Sequence, residues 1–202
     1  VEGLDRHPDW VAAFHDLRFI DSLGAAMPGT YLTKASFLNR ASPYLQPAEN
    51  RWLECDDHFY IYQSLMTGAI HTQSVLIALN RLPQGTVTFD TQFTICDDTD
   101  LWIRLGLQGK IGYLDKVLSS YRQHAGSITR NKEKYAIDSL KLHLHNFQRV
   151  KNRLSALEVD QYRRRISADF ASLGYLRYRD YRQVAAREAY RKAMAMRFSY
   201  EA

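Results

Sequence analysis

The chain has only two cysteines in 202 residues, Cys55 and Cys96, and they form no CxxC pair. That excludes a disulfide framework and a cysteine-based zinc site, and it points to a reducing compartment with two buried free thiols. Long apolar runs are missing too. The longest aliphatic stretch, Val75 to Leu79, falls far short of the roughly 20 apolar residues of a membrane-spanning helix. The first residues lack the basic and apolar regions of a secretion signal. No nucleic-acid recognition motif occurs, so no nucleic-acid partner is expected. Glycine and proline are absent from Lys132 to Leu173, leaving nothing there to break a helix.

What is present suffices for a sizeable core. With 46% hydrophobic and 12% aromatic residues, the chain suits one large domain, or one domain with an appendage. Charge is unevenly spread. From Ala136 on, 14 Lys/Arg stand against 7 Asp/Glu, a charge of +7, while 13 against 15 precede them, so the net +5 sits in the tail. A basic tail can meet nucleic acid or an anionic membrane face; its plainest reading is the solvated side of helices.

Along the chain, His7-Pro8-Asp9 reads as a turn leading into a strand over Trp10–Phe14, and Asp21–Gly24 as a hairpin turn. Residues 25–57, with Pro28, Pro43 and Pro47, read as a long loop with short helical pieces. A short helix is expected over Phe59–Met66 and a buried strand over Ile70–Leu79. Lys110–Asp115 and Val117–His124 read as two further strands, the second carrying Arg122 and His124 on one face. From Tyr135 the apolar spacing is helical, with one face running from Ile137 to Leu157. Two more helices follow, around Tyr162–Leu173 and Ala186–Ala193.

Between these lies the stretch CDDTDLWIRL, residues 96–105, with Asp97, Asp98 and Asp100 clustered at a helix start. Asp98 or Thr99 is a fitting N-cap, and further carboxylates favour the positive end of the helix dipole. Capping alone accounts for such a cluster in many proteins; the surrounding pattern argues for chemistry. Phe89-Asp90, Asp97-Asp98-Thr99-Asp100-Leu101-Trp102-Ile103-Arg104-Leu105, Gly109, Tyr113-Leu114-Asp115 and Tyr121-Arg122-Gln123-His124 follow one another in order. Together with IHTQSVLI and HPDWVAAFHDLRFIDSLG upstream, they resemble the C-terminal half of family 2 glycosyltransferases of the GT-A fold. The resemblance covers about residues 1–130.

It implies an α/β fold: the acceptor-side portion of a GT-A mixed sheet over residues 1–133, then a helical extension over 134–202. It implies an inverting transfer of sugar from a nucleotide-sugar donor to a saccharide or lipid-linked acceptor, as in envelope polysaccharide assembly. Asp98, beside Asp97, is the implied general base. A carboxylate is a weak base in water, yet it accepts a proton that leaves during the attack. His124 is an implied ligand of a divalent metal, Mn²⁺ or Mg²⁺, and Arg122 an implied donor-phosphate contact, or a partner of the acidic cluster.

The departures are Asp97 in place of the usual Glu, and the lack of the family's nucleotide-binding strand and Asp-x-Asp motif ahead of residue 1. The bulk of the metal site is therefore expected outside this chain, which alone should bind donor weakly and turn nothing over. The competing expectation is a non-catalytic binding or assembly module derived from such an enzyme.

Tyr60, Tyr62, His71 and Gln73 are candidates to line an acceptor pocket. Trp102 reads as a core anchor, and His143 and His145, two apart, share no helix face. In the tail, Phe170, Leu173, Gly174, Ala186, Tyr190 and Ala193 are spaced like a tetratricopeptide helix pair. The protein is expected in the cytoplasm, its basic tail suited to the inner face of the plasma membrane.

Overall fold

The computed structural model describes residues 2–66, 68–124 and 131–198. The chain is mixed α/β and divides into two compact units, Val1–Asp90 with Asp98–Ser127, and Thr91–Asp97 with Ile128–Ala202. No helix among the described residues is long and apolar enough to cross a membrane.

The first unit opens with α1 (Glu2–Arg6) and then β1 (Trp10–Ile20), which pairs in parallel with β6 (Lys110–Arg122). Parallel neighbours at the centre of a sheet are covered on both faces. Accordingly Trp10 to Phe14 are buried without a break. Gly112 on β6 makes this close fit possible, since a Cβ there would overlap the Trp10 indole. Antiparallel β4 (Trp52–Cys55) and β3 (Leu45–Pro47) continue the sheet beyond β6. On its other edge, β1 pairs with β5 (Val75–Ile77) near its start and β2 (Ala26–Thr30) near its end. The result is a six-stranded mixed sheet, β2-β1-β6-β4-β3, with β5 beside β1.

One face of the sheet carries the main core. Phe14, Phe37, Phe59, Tyr62 and Tyr113 meet there, with ring centroids 4.9 Å apart for Phe37–Tyr113 and 5.0 Å for Phe14–Tyr113. Leu101, Trp102 and Leu105 of α5 (Asp97–Gly106) pack into the same cluster. Each fully buried side chain of this size contributes about 1.5–3 kcal/mol. Trp102 is thus the anchor its place on the helix suggests, and both cysteines are buried and free.

Several expectations need correction. Residues 25–57 are no long loop: they hold β2, α2 (Tyr31–Lys34), α3 (Phe37–Arg40), β3 and β4. Pro28 and Pro47 sit on the edge strands β2 and β3, and Pro43 in a 3-10 turn, while β4 gains its place from its partner β6 rather than from its own periodicity. The two strands expected over 110–124 are one. Register jumps from His15↔Leu114 to Asp16↔Val117, so Asp115 and Lys116 bulge without ending the ladder. The strand expected over 70–79 shrinks to β5, because the His71 imidazole accepts the Gln73 N–H at 3.2 Å and starts a 3-10 turn over Thr72–Ser74. Such side-chain bonds offer the backbone an alternative to a ladder. Helix α5 begins at Asp97, so Asp98 and Thr99 lie inside its first turn rather than capping it. Helix α4 (Phe59–Met66) and the Asp21–Gly24 turn fall where expected. The Asp21 carboxylate accepts from Leu23 N and Ala25 N at 2.9 Å each, and Gly24 has φ +93°.

The second unit holds α6 (Lys132–Val150), α7 (Ala156–Arg179) and α8 (Gln183–Phe198). The single apolar face expected through Leu157 is broken after Val150, because Ser155 and Glu158 form a reciprocal capping box that starts a new helix. Leu140, Ile166 and Leu173 make the core between α6 and α7. Gly174 lets the Tyr190 ring of α8 lie against α7, 3.0 Å from where a Cβ would stand. The strap at 91–97 is tied to α6 by Asp138, whose carboxylate accepts from Thr94 N at 2.7 Å and Ile95 N at 2.9 Å.

Candidate functional site

The three aspartates of the acidic cluster part ways. Asp100 turns inward and is fully buried, bonded to Arg104 Nε at 2.8 Å one helical turn on. Arg104 in turn donates to the Thr86 carbonyl at 2.7 Å and to the Thr88 carbonyl, fastening the loop that precedes the helix. Asp97, half-buried, falls with the helical unit. Asp98 is half-exposed in the sheet unit, and two elements position it. Thr72 Oγ1 donates to Oδ2 at 3.1 Å, while Thr99 N and Oγ1 donate to Oδ1 at 2.6 and 3.2 Å.

Thr72 reaches Asp98 because His71 starts the 3-10 turn. Since His71 Nδ1 accepts from Gln73 N, the neutral ring carries its proton on Nε2. Burial pushes the His71 imidazole below its ordinary value, and the nearby Asp98 carboxylate pulls it partly back. The ring lies 4.7 Å from the Tyr121 ring and 5.4 Å from that of Tyr31, the latter edge-on. Tyr31 spans the chain at Gly68, where φ is +85° and a Cβ would fall 2.6 Å from the Tyr31 hydroxyl. The arrangement is a carboxylate and a hydroxyl beside the His71 ring, which in turn meets Tyr31 and Tyr121, all three rings partly exposed. It can accept a proton from an alcohol and hold the alcohol's apolar body.

Other candidates are placed differently. Arg122 is exposed and donates to the carbonyls of Asp21 and Ser22 at 3.2 and 2.9 Å, closing the β1–β2 turn from the neighbouring strand. His124 is exposed just past β6. Among the described residues it belongs to no group of three metal-ligating side chains. The end of the family-like motif, residues 125–130, lies outside the described residues. Tyr60 and Tyr62 are buried, Tyr62 in the main core, and Gln73 is exposed. Of the four expected pocket residues, His71 is close enough to Asp98 to feel its charge.

His7, Asp9 and Glu54 do bring ligand atoms within 4.8 Å of one another. However, the Lys110 ammonium already sits 2.7 Å from Glu54 and 3.3 Å from Asp9, and Glu54 also accepts from Trp10 Nε1 at 2.9 Å. Lysine supplies the balancing charge, and the group reads as an ion cluster that fastens α1 and the start of β1. In the helical unit, His143 is buried with Nδ1 2.6 Å from Asp169, while His145 is exposed beside Phe93.

Sequence reasoning missed Thr72 as a neighbour of Asp98, and Tyr31 and Tyr121 as neighbours of His71. Tyr121 stood inside the quoted motif, which was its one signal. Comparison of the chain with protein-family models, curated proteins and solved structures returned no match.

Proposed function

We propose that the sheet unit is the acceptor-side half of a GT-A glycosyltransferase resembling family 2, with Asp98 as general base of an inverting sugar transfer. The observation that supports this reading is the setting of Asp98: a half-exposed carboxylate, fixed by two threonines and close to the His71 ring, at the position in the family-like motif that its base would occupy. The motif's order along the chain favours it too, since α5 leads directly into β6, the parallel partner of β1.

In the step proposed, the acceptor hydroxyl oxygen attacks the anomeric carbon of the donor sugar as its proton passes to Asp98. The bond from that carbon to the phosphate oxygen breaks, and the nucleoside diphosphate leaves with the electron pair. A single displacement inverts the configuration. The acceptor is a saccharide or a lipid-linked saccharide, and the basic surface of the helical unit suits an anionic membrane face. The one Asp-x-Asp here, Asp98-Thr99-Asp100, lies in the first turns of α5 and is not read as the donor's metal motif, so the step described rests on Asp98 alone.

The test is Asp98→Asn in the full-length natural protein, assayed against a panel of UDP-, GDP- and dTDP-sugars. Removal of a general base should lower kcat by about 10²–10⁴-fold, with thermal unfolding unchanged. Transfer at the wild-type rate would refute the assignment. A folded wild-type protein that transfers no sugar to any saccharide would favour the non-catalytic binding module instead.

A further inference from the structure

We infer that Tyr31, His71 and Tyr121 form a saccharide-binding wall that receives the acceptor sugar beside Asp98, an inference that rests on the transfer reading given above. Sugar rings present an apolar face of C–H groups and a rim of hydroxyls. A site for them needs exposed aromatic surface next to a small number of fixed polar groups. Both are here, within one unit. The Tyr121 and His71 rings lie 4.7 Å apart at 51°, and Tyr31 stands edge-on to His71 at 78°. All three are partly exposed, although Phe19 behind them is buried, 6.0 Å from Tyr121 and 6.2 Å from Tyr31.

The polar groups are arranged to match. Thr72, the residue after His71, donates its hydroxyl to Asp98 Oδ2 in the first turn of α5, 3.1 Å away. The imidazole is locked at Nδ1 by Gln73 N, which leaves Nε2–H as a donor for a sugar oxygen. A neutral ring also suits this place better than a cation. Imidazolium beside Asp98 would tie up the carboxylate that has to take the acceptor proton. Gly68 belongs to the same device, because any side chain there would displace the Tyr31 hydroxyl.

The rings also hold the 68–74 turn, so the test must separate binding from scaffolding. Methyl glycosides of glucose, galactose and N-acetylglucosamine serve as probes, with saturation-transfer NMR on the full-length protein as readout. At least one glycoside should bind wild type and Tyr121→Phe with Kd on the order of millimolar. In Tyr121→Ala and His71→Ala the same binding should weaken by about tenfold or more, with the melting temperature and far-UV spectrum preserved. If the alanine variants fail to fold, His71→Asn and Tyr121→Leu replace them.

Binding of none of the three glycosides, or equal binding by all variants, overturns the inference. The parent reading fails separately: Asp98→Asn that still transfers sugar removes the base and leaves the glycoside result standing. Asp98→Asn that abolishes transfer, with aromatic variants that bind normally, removes only the wall.

Discussion

The helical unit and the sheet unit satisfy their backbones by different means. In the helices the bonds are local, and the ends are closed by near neighbours: Asn131 accepts from Lys134 N at 3.0 Å, and Ser155 and Glu158 cap each other's turn. In the sheet unit, much of the chain between elements is irregular, and arginines from distant elements hold its carbonyls. Arg81 donates to Leu4, His7 and Trp10, at 2.7, 2.9 and 2.8 Å. Arg104 holds Thr86 and Thr88, and Arg122 holds Asp21 and Ser22. Irregular backbone must be satisfied from outside itself. Where that is done, segments such as 68–74 can be carried up to a helix start and leave polar groups in the open. The proposed site lies in the unit whose irregular backbone is held in this way.

The comparison is broken first at Arg104. Removing it takes the arginine partner from the fully buried Asp100 carboxylate and frees two carbonyls. Arg104→Ala should therefore destabilise the sheet unit by about 3–5 kcal/mol, seen as faster amide exchange along α5 and β6. A loss below about 1 kcal/mol would mean that the pair behaves like a surface ion pair and that the loop is held by something else. The matching change in the helical unit is smaller. Ser155→Ala removes one cap of α7 and should cost about 1 kcal/mol, confined to the exchange of the first turn after Ala156. A cost as large as that of Arg104 would erase the distinction between local and long-range support.

The same distinction decides what could be read from the sequence. Helices α6 to α8 were legible because their apolar residues repeat at the helical period, and α4 because Phe59–Met66 is one short apolar run that ends near Gly68. The core of β1 was legible from Trp10–Phe14. Elements defined by a partner were not: β2 and β4 look like proline-punctuated loop until β1 and β6 are beside them, and β6 looks like two strands because its bulge at Asp115–Lys116 interrupts alternation. The acidic cluster could be read from the sequence, yet not the surroundings of Asp98, since Thr72 lies 26 residues away with no periodic signature to join the two. The inward turn of Asp100 had a signal that went unused, namely Arg104 at i+4, the spacing of a helical ion pair.

The smallest effect concerns His71, and its sign follows from burial. The folded ring titrates below the ordinary histidine value of about 6.5, so in acid the unfolded chain binds a proton that the folded chain refuses. Stability therefore rises with pH through that window, and the penalty is absent above the ordinary value and grows as pH falls below it. An NMR titration of the His71 Hε1 proton should show a midpoint below 6.5, and His71→Asn should flatten the corresponding slope of stability against pH. Asp98 sharpens the point, because its charge opposes the burial effect. Asp98→Asn should move the His71 midpoint further down. A midpoint that stays or rises would mean that the carboxylate and the imidazole do not share one site, and the acceptor wall would lose its polar anchor.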